Sequence, residues 1–163
     1  MLTSKPPRFF KPRLQPRILT PLNNLPLKEF MNSFETPLWS LRYPENWQAE
    51  EEDELLVLFD PQGVGELSIS YQQSEEPLSN EDLLGIADED IEAGAEPDVV
   101  NVGQFSGIQF DYESEGEYWC EWYLANDDLL IFATYNCPVG DEEKELAAIE
   151  VVLSTLKSNW LAE

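Results

Sequence analysis

Histidine is absent from the 163 residues, which removes the commonest general base at neutral pH and the commonest metal ligand. Cations are almost absent beyond residue 30. From Met31 onward only Arg42, Lys144 and Lys157 stand against 32 acids, so this part carries −29 and repels nucleic acid and anionic membrane alike. No run of 18 apolar residues occurs, and the N-terminus has neither an apolar core segment nor a small-residue cleavage site, so neither a membrane span nor a signal peptide is expected. A reducing cytoplasm is the default compartment. The two cysteines, Cys120 and Cys137, are too few for a disulfide framework, and no Gly-rich phosphate loop is present, so no cofactor and no metal are expected.

What is there suits one folded domain. A hydrophobic content of 42% with 12% aromatic residues can close a core and is unlike a disordered acidic tail. The charge is not evenly spread. Lys5, Arg8, Lys11, Arg13, Arg17 and Lys28 lie in the first 30 residues with Glu29 as the single acid, and six of the twelve prolines interrupt the same stretch. Residues 1–35 therefore read as a disordered, basic, Pro-rich arm, either a linker or sequence upstream of a true start at Met31. Residues 36–160 form the domain.

Short alternating runs begin at Trp39. Strands are expected over Trp39–Tyr43, Leu55–Phe59 and Gly65–Tyr71, the last two joined by turn chemistry at Asp60-Pro61-Gln62-Gly63. Ser79 or Asn80 can cap a helix running through Leu83 and Ile91 to Gly94. Three further strands follow, Phe105–Glu113, Glu117–Ala125 and Leu129–Cys137. A last helix, capped at Asp141, lines up Leu146, Ile149, Val152, Leu153 and Leu156. Strands, helix, strands, helix is the order of an α+β fold, an antiparallel β-sheet flanked by helices.

At this point the chain resembles the Mog1/PsbP-like superfamily, which includes the DcrB-type bacterial domains. The resemblance rests on Leu41-Arg42-Tyr43-Pro44-Glu45-Asn46-Trp47, on a strand ending in Phe59-Asp60-Pro61, on Leu67-Ser68-Ile69-Ser70, and on the strands and helix that follow Gly103. It covers nearly all of residues 36–158. It implies the fold just described and a binding or accessory role. Members include a partner of a small GTPase, extrinsic subunits of photosystem II and adaptor chaperones for secreted toxins. Fold alone does not choose among these.

Catalytic constellations are hard to assemble. Without His, a Ser or Cys nucleophile would depend on Lys or a carboxylate, and the many carboxylates offer no way to single out a pair. Asp88-Glu89-Asp90-Ile91-Glu92-Ala93-Gly94 has the alternating acids of a calcium loop, but its Gly comes one place late and the closing Glu is missing, so a solvated helix face is expected. Glu50-Glu51-Glu52-Asp53-Glu54 reads as a solvated turn. With a two-residue Asn126-Asp127 turn, Cys120 would face Ala133 and Cys137 would face Gly116, about 13 Å apart along the strands and too far for a disulfide. Both are expected as small core residues.

The most informative cluster is Asp111, Glu113, Glu117, Trp119, Glu121 and Tyr123. A three-residue Ser114-Glu115-Gly116 loop would put Glu113 across from Glu117 and Asp111 across from Trp119, on one face. Like charges directly opposite destabilise a sheet unless a cation or basic partner covers them, and Trp and Tyr anchor interfaces. The expectation is a noncatalytic, acidic binding domain for a basic protein, of effector-adaptor or toxin-immunity type, with edge charge against aggregation as the bland explanation of the same residues. A small-molecule enzyme using carboxylates, or an accessory subunit of a larger complex, is the contrasting expectation.

Overall fold

The computed structural model describes residues 31–159. The basic arm over residues 1–30 lies outside them. The arm's expected end at residue 35 is corrected: Met31–Glu35 forms strand β1, antiparallel to β2 (Trp39–Pro44), with Phe34 opposite Leu41. Phe34 is half-buried and its ring lies 5.6 Å from that of Trp39, which fixes β1 against the core.

The elements that follow are β3 (Gln48–Glu52), β4 (Leu55–Phe59), β5 (Glu66–Gln73), α1 (Asn80–Ile86), α2 (Asp88–Glu92), β6 (Asp98–Val102), β7 (Phe105–Ser114), β8 (Glu117–Asn126), β9 (Leu129–Pro138), α3 (Glu142–Ser154) and β10 (Lys157–Ser158). All strand pairs are antiparallel. They make a seven-stranded sheet, β3-β4-β5-β9-β8-β7-β6, and a three-stranded sheet, β1-β2-β10. The α+β expectation holds.

The large sheet buries one face under α3 and the small sheet. Leu56, Leu58, Leu67, Ile69, Trp122, Leu124, Ile131 and Tyr135 meet Trp39 and Leu41 from β2 and Ile149, Val152 and Leu153 from α3. The stripe expected on the last helix is the one that packs. Trp47 closes the turn after β2, donating its amide to the Pro44 carbonyl at 3.0 Å while its ring is buried. Near its start, α3 reaches across to the β4–β5 loop: Glu145 accepts from the amides of Val64 (3.1 Å) and Gly65 (3.0 Å) and from the Tyr135 hydroxyl (2.8 Å). Burial, and next the hydrogen bond to Glu145, push the Tyr135 phenol well above its ordinary value.

Several elements differ from the sequence expectation. Glu50–Glu52 is no turn but part of β3, an edge strand exposed along its whole length, and Asp53, at φ 57°, starts the turn into β4. The single helix expected after Ser79 divides at Ala87, whose ψ of 12° ends α1 and starts α2. Ser79 is the cap: its hydroxyl accepts from the Asp82 amide, and its own amide donates to the Asp82 carboxylate at 2.8 Å. That hydrogen bond holds Asp82 below its usual carboxylate value. Asp90 sits not on a solvated face but at 3% exposure, accepting from the Tyr123 hydroxyl at 3.3 Å. Cys120 pairs with Tyr135 and Cys137 with Tyr118, because the β8–β9 turn is Asp127-Asp128. Both cysteines are buried free thiols.

Candidate functional site

The second face of the large sheet is where the sequence placed a partner surface, and the register there differs by one residue. Ser114 pairs with Glu117, so the β7–β8 turn is Glu115-Gly116 alone, with φ of 53° and 84° at its two positions. Two positive-φ residues make the tight hairpin turn whose twist suits antiparallel strands. A shift of one residue exchanges the faces of everything on one strand relative to its neighbour. Glu113 therefore lies opposite Tyr118, not Glu117, and Asp111 opposite Cys120, not Trp119.

The six predicted residues are thereby divided. Asp111 and Glu113 lie on the α3 side of the sheet, where Asp111 accepts from the Tyr118 hydroxyl at 2.9 Å. Glu117, Trp119, Glu121 and Tyr123 lie on the other side, together with Phe110 and Tyr112. The repulsion between Glu113 and Glu117 that motivated the site does not occur.

The second face has two halves. Over β7 and β8, α1 and α2 cover Ile108, Phe110, Tyr123 and Ala125 with Leu83 and Ala87. Tyr123 is buried there, so it cannot meet a partner. Glu121 is also buried, at 3% exposure, and its carboxylate accepts from the Tyr112 hydroxyl. Beyond the helices no described element covers this face of the sheet. Trp119, half-buried, stacks on Tyr112 with ring centroids 6.3 Å apart and planes within 7°. Across β8, β9, β5 and β4 from Trp119, the half-buried or exposed side chains of Asn136, Glu66 and Ser68 follow, with Val57 and Phe59 beyond. Glu117 accepts from Asn136 at 2.9 Å at the border of this surface.

Trp119 stands at one end of an aromatic series. Tyr112 contacts Phe110 at 6.3 Å, Phe110 contacts Tyr123 at 6.0 Å, and Tyr123 contacts Phe132 at 4.8 Å. The buried rings hold Tyr112 rigid, and Tyr112 holds Trp119, so the exposed end of the series loses little entropy on binding. The surface is also purely anionic. Glu117, Glu66 and, on β3, Glu50 and Glu52 frame it, whereas the three cations among the described residues lie on β2, α3 and β10. No group of three or more His, Cys, Asp or Glu side chains among the described residues is arranged to hold a metal ion, and Asp88–Glu92 is helical.

Sequence reasoning missed Asn136, Glu66, Val57 and Phe59. Only strand pairing brings them beside Trp119. The alternation of Val57 and Phe59 with the buried Leu56 and Leu58 was the one local signal, and an all-apolar strand hides which face is open.

Charge of this kind affects the free domain. Because acids crowd a molecule with three cations among the described residues, and Lys144–Asp141 at 3.0 Å is an exposed i,i+3 ion pair, screening removes more repulsion than attraction. The melting temperature is expected to rise by several degrees between roughly 10 and 200 mM salt. A melting temperature that falls over this range would mean that attractive pairs dominate.

No family model matches the chain, and no curated protein matches it. Solved structures do. A crystal structure from Bacteroides thetaiotaomicron VPI-5482 superposes with a TM-score of 0.60 at 19% identity, covering 80% of this chain; the chain spans 49%, about half, of that protein. The solution structure of cyanobacterial PsbP (CyanoP) from Synechocystis sp. PCC 6803 superposes with a TM-score of 0.55 at 11% identity, covering 78% of this chain and 92% of that one. The chain has the Mog1/PsbP-like fold. No helix among the described residues is long and apolar enough to cross a membrane.

Proposed function

We infer that this chain is a noncatalytic, acidic binding domain that engages a basic protein surface through the open half of its large sheet. The observation that carries this reading is Trp119, half-exposed and stacked on Tyr112, at the edge of a face whose charged groups among the described residues are all carboxylates. A rigid aromatic beside an anionic, mixed apolar surface is the composition of an interface anchor, and the field of a −29 domain speeds encounter with a basic partner. An adaptor for a basic effector and an immunity protein for a basic toxin are the roles this surface suits. A reducing cytoplasm suits Cys120 and Cys137, both buried as thiols.

The test separates anchor from field. Trp119→Ala is expected to weaken binding of the partner by about 2 kcal/mol, roughly 30-fold, mainly through faster dissociation. Glu66→Gln with Glu50→Gln, both exposed, should instead slow association several-fold at low salt while leaving the fold intact or slightly more stable. The partner is captured from the source cell with the wild-type chain and measured against all variants by calorimetry and stopped flow. Affinity indifferent to Trp119→Ala would sink the open face as the site.

A further inference from the structure

The two edges of the large sheet are unlike. β3, at one edge, carries Glu50, Glu51 and Glu52, and charge along an edge prevents another strand from adding to it. β6, at the other, reads Asp98-Val99-Val100-Asn101-Val102, so four successive residues are uncharged in a domain crowded with acids. Val99 is 70% exposed. Beside this edge a groove of about 490 Å³ opens between α1, α2 and the sheet, walled by Leu84, Ile91, Pro97, Val99 and Ile108. Three of the five most exposed large apolar side chains among the described residues, Leu84, Ile86 and Val99, belong to the two elements that frame it. An uncharged edge with an apolar groove alongside is the surface to which an extended peptide adds as a strand, its backbone pairing with the edge and alternate side chains filling the groove.

The chain itself holds a segment of matching chemistry. Asp88 lines the groove, and Glu89, Glu92, Glu96 and Asp98 adjoin its lining residues in sequence. Residues 1–30 carry +5 and contain large apolar residues well beyond what a linker needs. Within them Arg17-Ile18-Leu19-Thr20 runs between Pro16 and Pro21, with β-branched side chains at two of four positions and a cation at its start. Proline is tolerated at the ends of such an added edge strand, where no amide is needed.

The reach is sufficient. β1 starts at Met31 and stands two strands from β10, whose Ser158 amide donates at 2.9 Å to Gln104 in the turn that follows β6. Two strand spacings, about 10 Å, and the length of β1, about 13 Å, leave Met31 within roughly 25 to 30 Å of that turn. Ten residues, 21–30, extend to about 33 Å or more.

We propose that Arg17–Thr20 adds in cis as an eighth strand on the β6 edge and places an apolar side chain in the groove against Leu84 and Val99. The arm then shields the edge beside Val99, and its charge offsets part of the domain's own.

Hydrogen exchange on the full-length chain tests this. The outward amides of Asp98–Val102 should exchange at least tenfold more slowly in the wild type than in Leu19→Pro, which removes a donor and bends the segment without touching the described domain. The β3 edge, Gln48–Glu52, and the central strand β8 should exchange alike in both and report an intact fold. Val99→Lys should reproduce the loss of β6 protection through repulsion of Arg17. Equal exchange of β6 in wild type and Leu19→Pro overturns the proposal. So does protection that fades on dilution, which would assign the edge to a second copy of the chain.

Discussion

Replacing Glu145 by alanine should cost the domain about 2 to 4 kcal/mol, a large share of the roughly 5 to 15 kcal/mol by which such domains are stable. Three donors converge on this one carboxylate, the amides of Val64 and Gly65 and the hydroxyl of Tyr135. Leaving a half-buried donor without its acceptor costs about 1 to 3 kcal/mol, lessened where water can enter the loop. The loop cannot simply move away, because Gly65 runs against the Asn136 carbonyl and leads directly into β5. Glu145→Gln keeps the size but turns an amide donor toward one of the backbone donors, so about half the loss should remain. Glu143→Ala, on an exposed neighbour in the same turn, should change stability by less than about 0.5 kcal/mol. Urea denaturation of the three variants decides the matter. A Glu145→Ala loss no larger than that of Glu143→Ala would show that water replaces the carboxylate freely. A cycle with Tyr135→Phe then separates the hydroxyl from the two amides.

The same latch illustrates what the sequence could and could not disclose. β4, β5 and β9 were legible because each buries alternate residues, and α3 because Ile149, Val152 and Leu153 repeat at helical spacing. β3 was not, since a strand with every side chain in water has no alternation to find and looks like an acid run. Nor was the division of the helix at Ala87, because periodicity continues from Leu83 through Ala87 to Ile91 while the backbone turns between them. Contacts between Glu145 and the β4–β5 loop span 80 residues of sequence and leave no local trace.

The candidate site was legible in composition and wrong in register. Trp119 among acids was visible from alternation alone, and it lies at the border of the open face. The error lay in one residue of turn length. A glutamate at φ 53° is an uncommon choice, and a three-residue loop ending in Gly116 was the expectation that avoided it. β7 and β8 are packed on both faces, so neither face carried the polar signature that would have exposed the slip. Asp111 and Glu113 moved to the far side as a result, and Tyr112 came to Trp119.

Two glycines should respond with opposite signs, and the contrast probes how tightly that hairpin is built. Gly107 lies in β7 opposite Leu124, and a β-carbon there would overlap the backbone carbonyl oxygen of Tyr123. No rotamer relieves a clash between a β-carbon and backbone, so β7 must separate from β8 where the sheet is covered on both faces. Gly107→Ala is expected to cost about 3 kcal/mol or more, beyond the usual range of overpacking at flexible side chains. Gly85 sits in α1, where an added β-carbon meets open space, and alanine there should stabilise by about 0.5 to 1 kcal/mol through helix propensity and a less mobile unfolded chain. Chemical denaturation measures both. The functional consequence follows from the aromatic series: opening β7 from β8 separates Phe110 from Tyr123 and Tyr112 from Trp119, so Gly107→Ala should also weaken partner binding without touching the open face. If Gly107→Ala destabilises the domain yet leaves affinity at the wild-type value in the folded fraction, Trp119 does not depend on the stacked rings behind it, and its rigidity has another source.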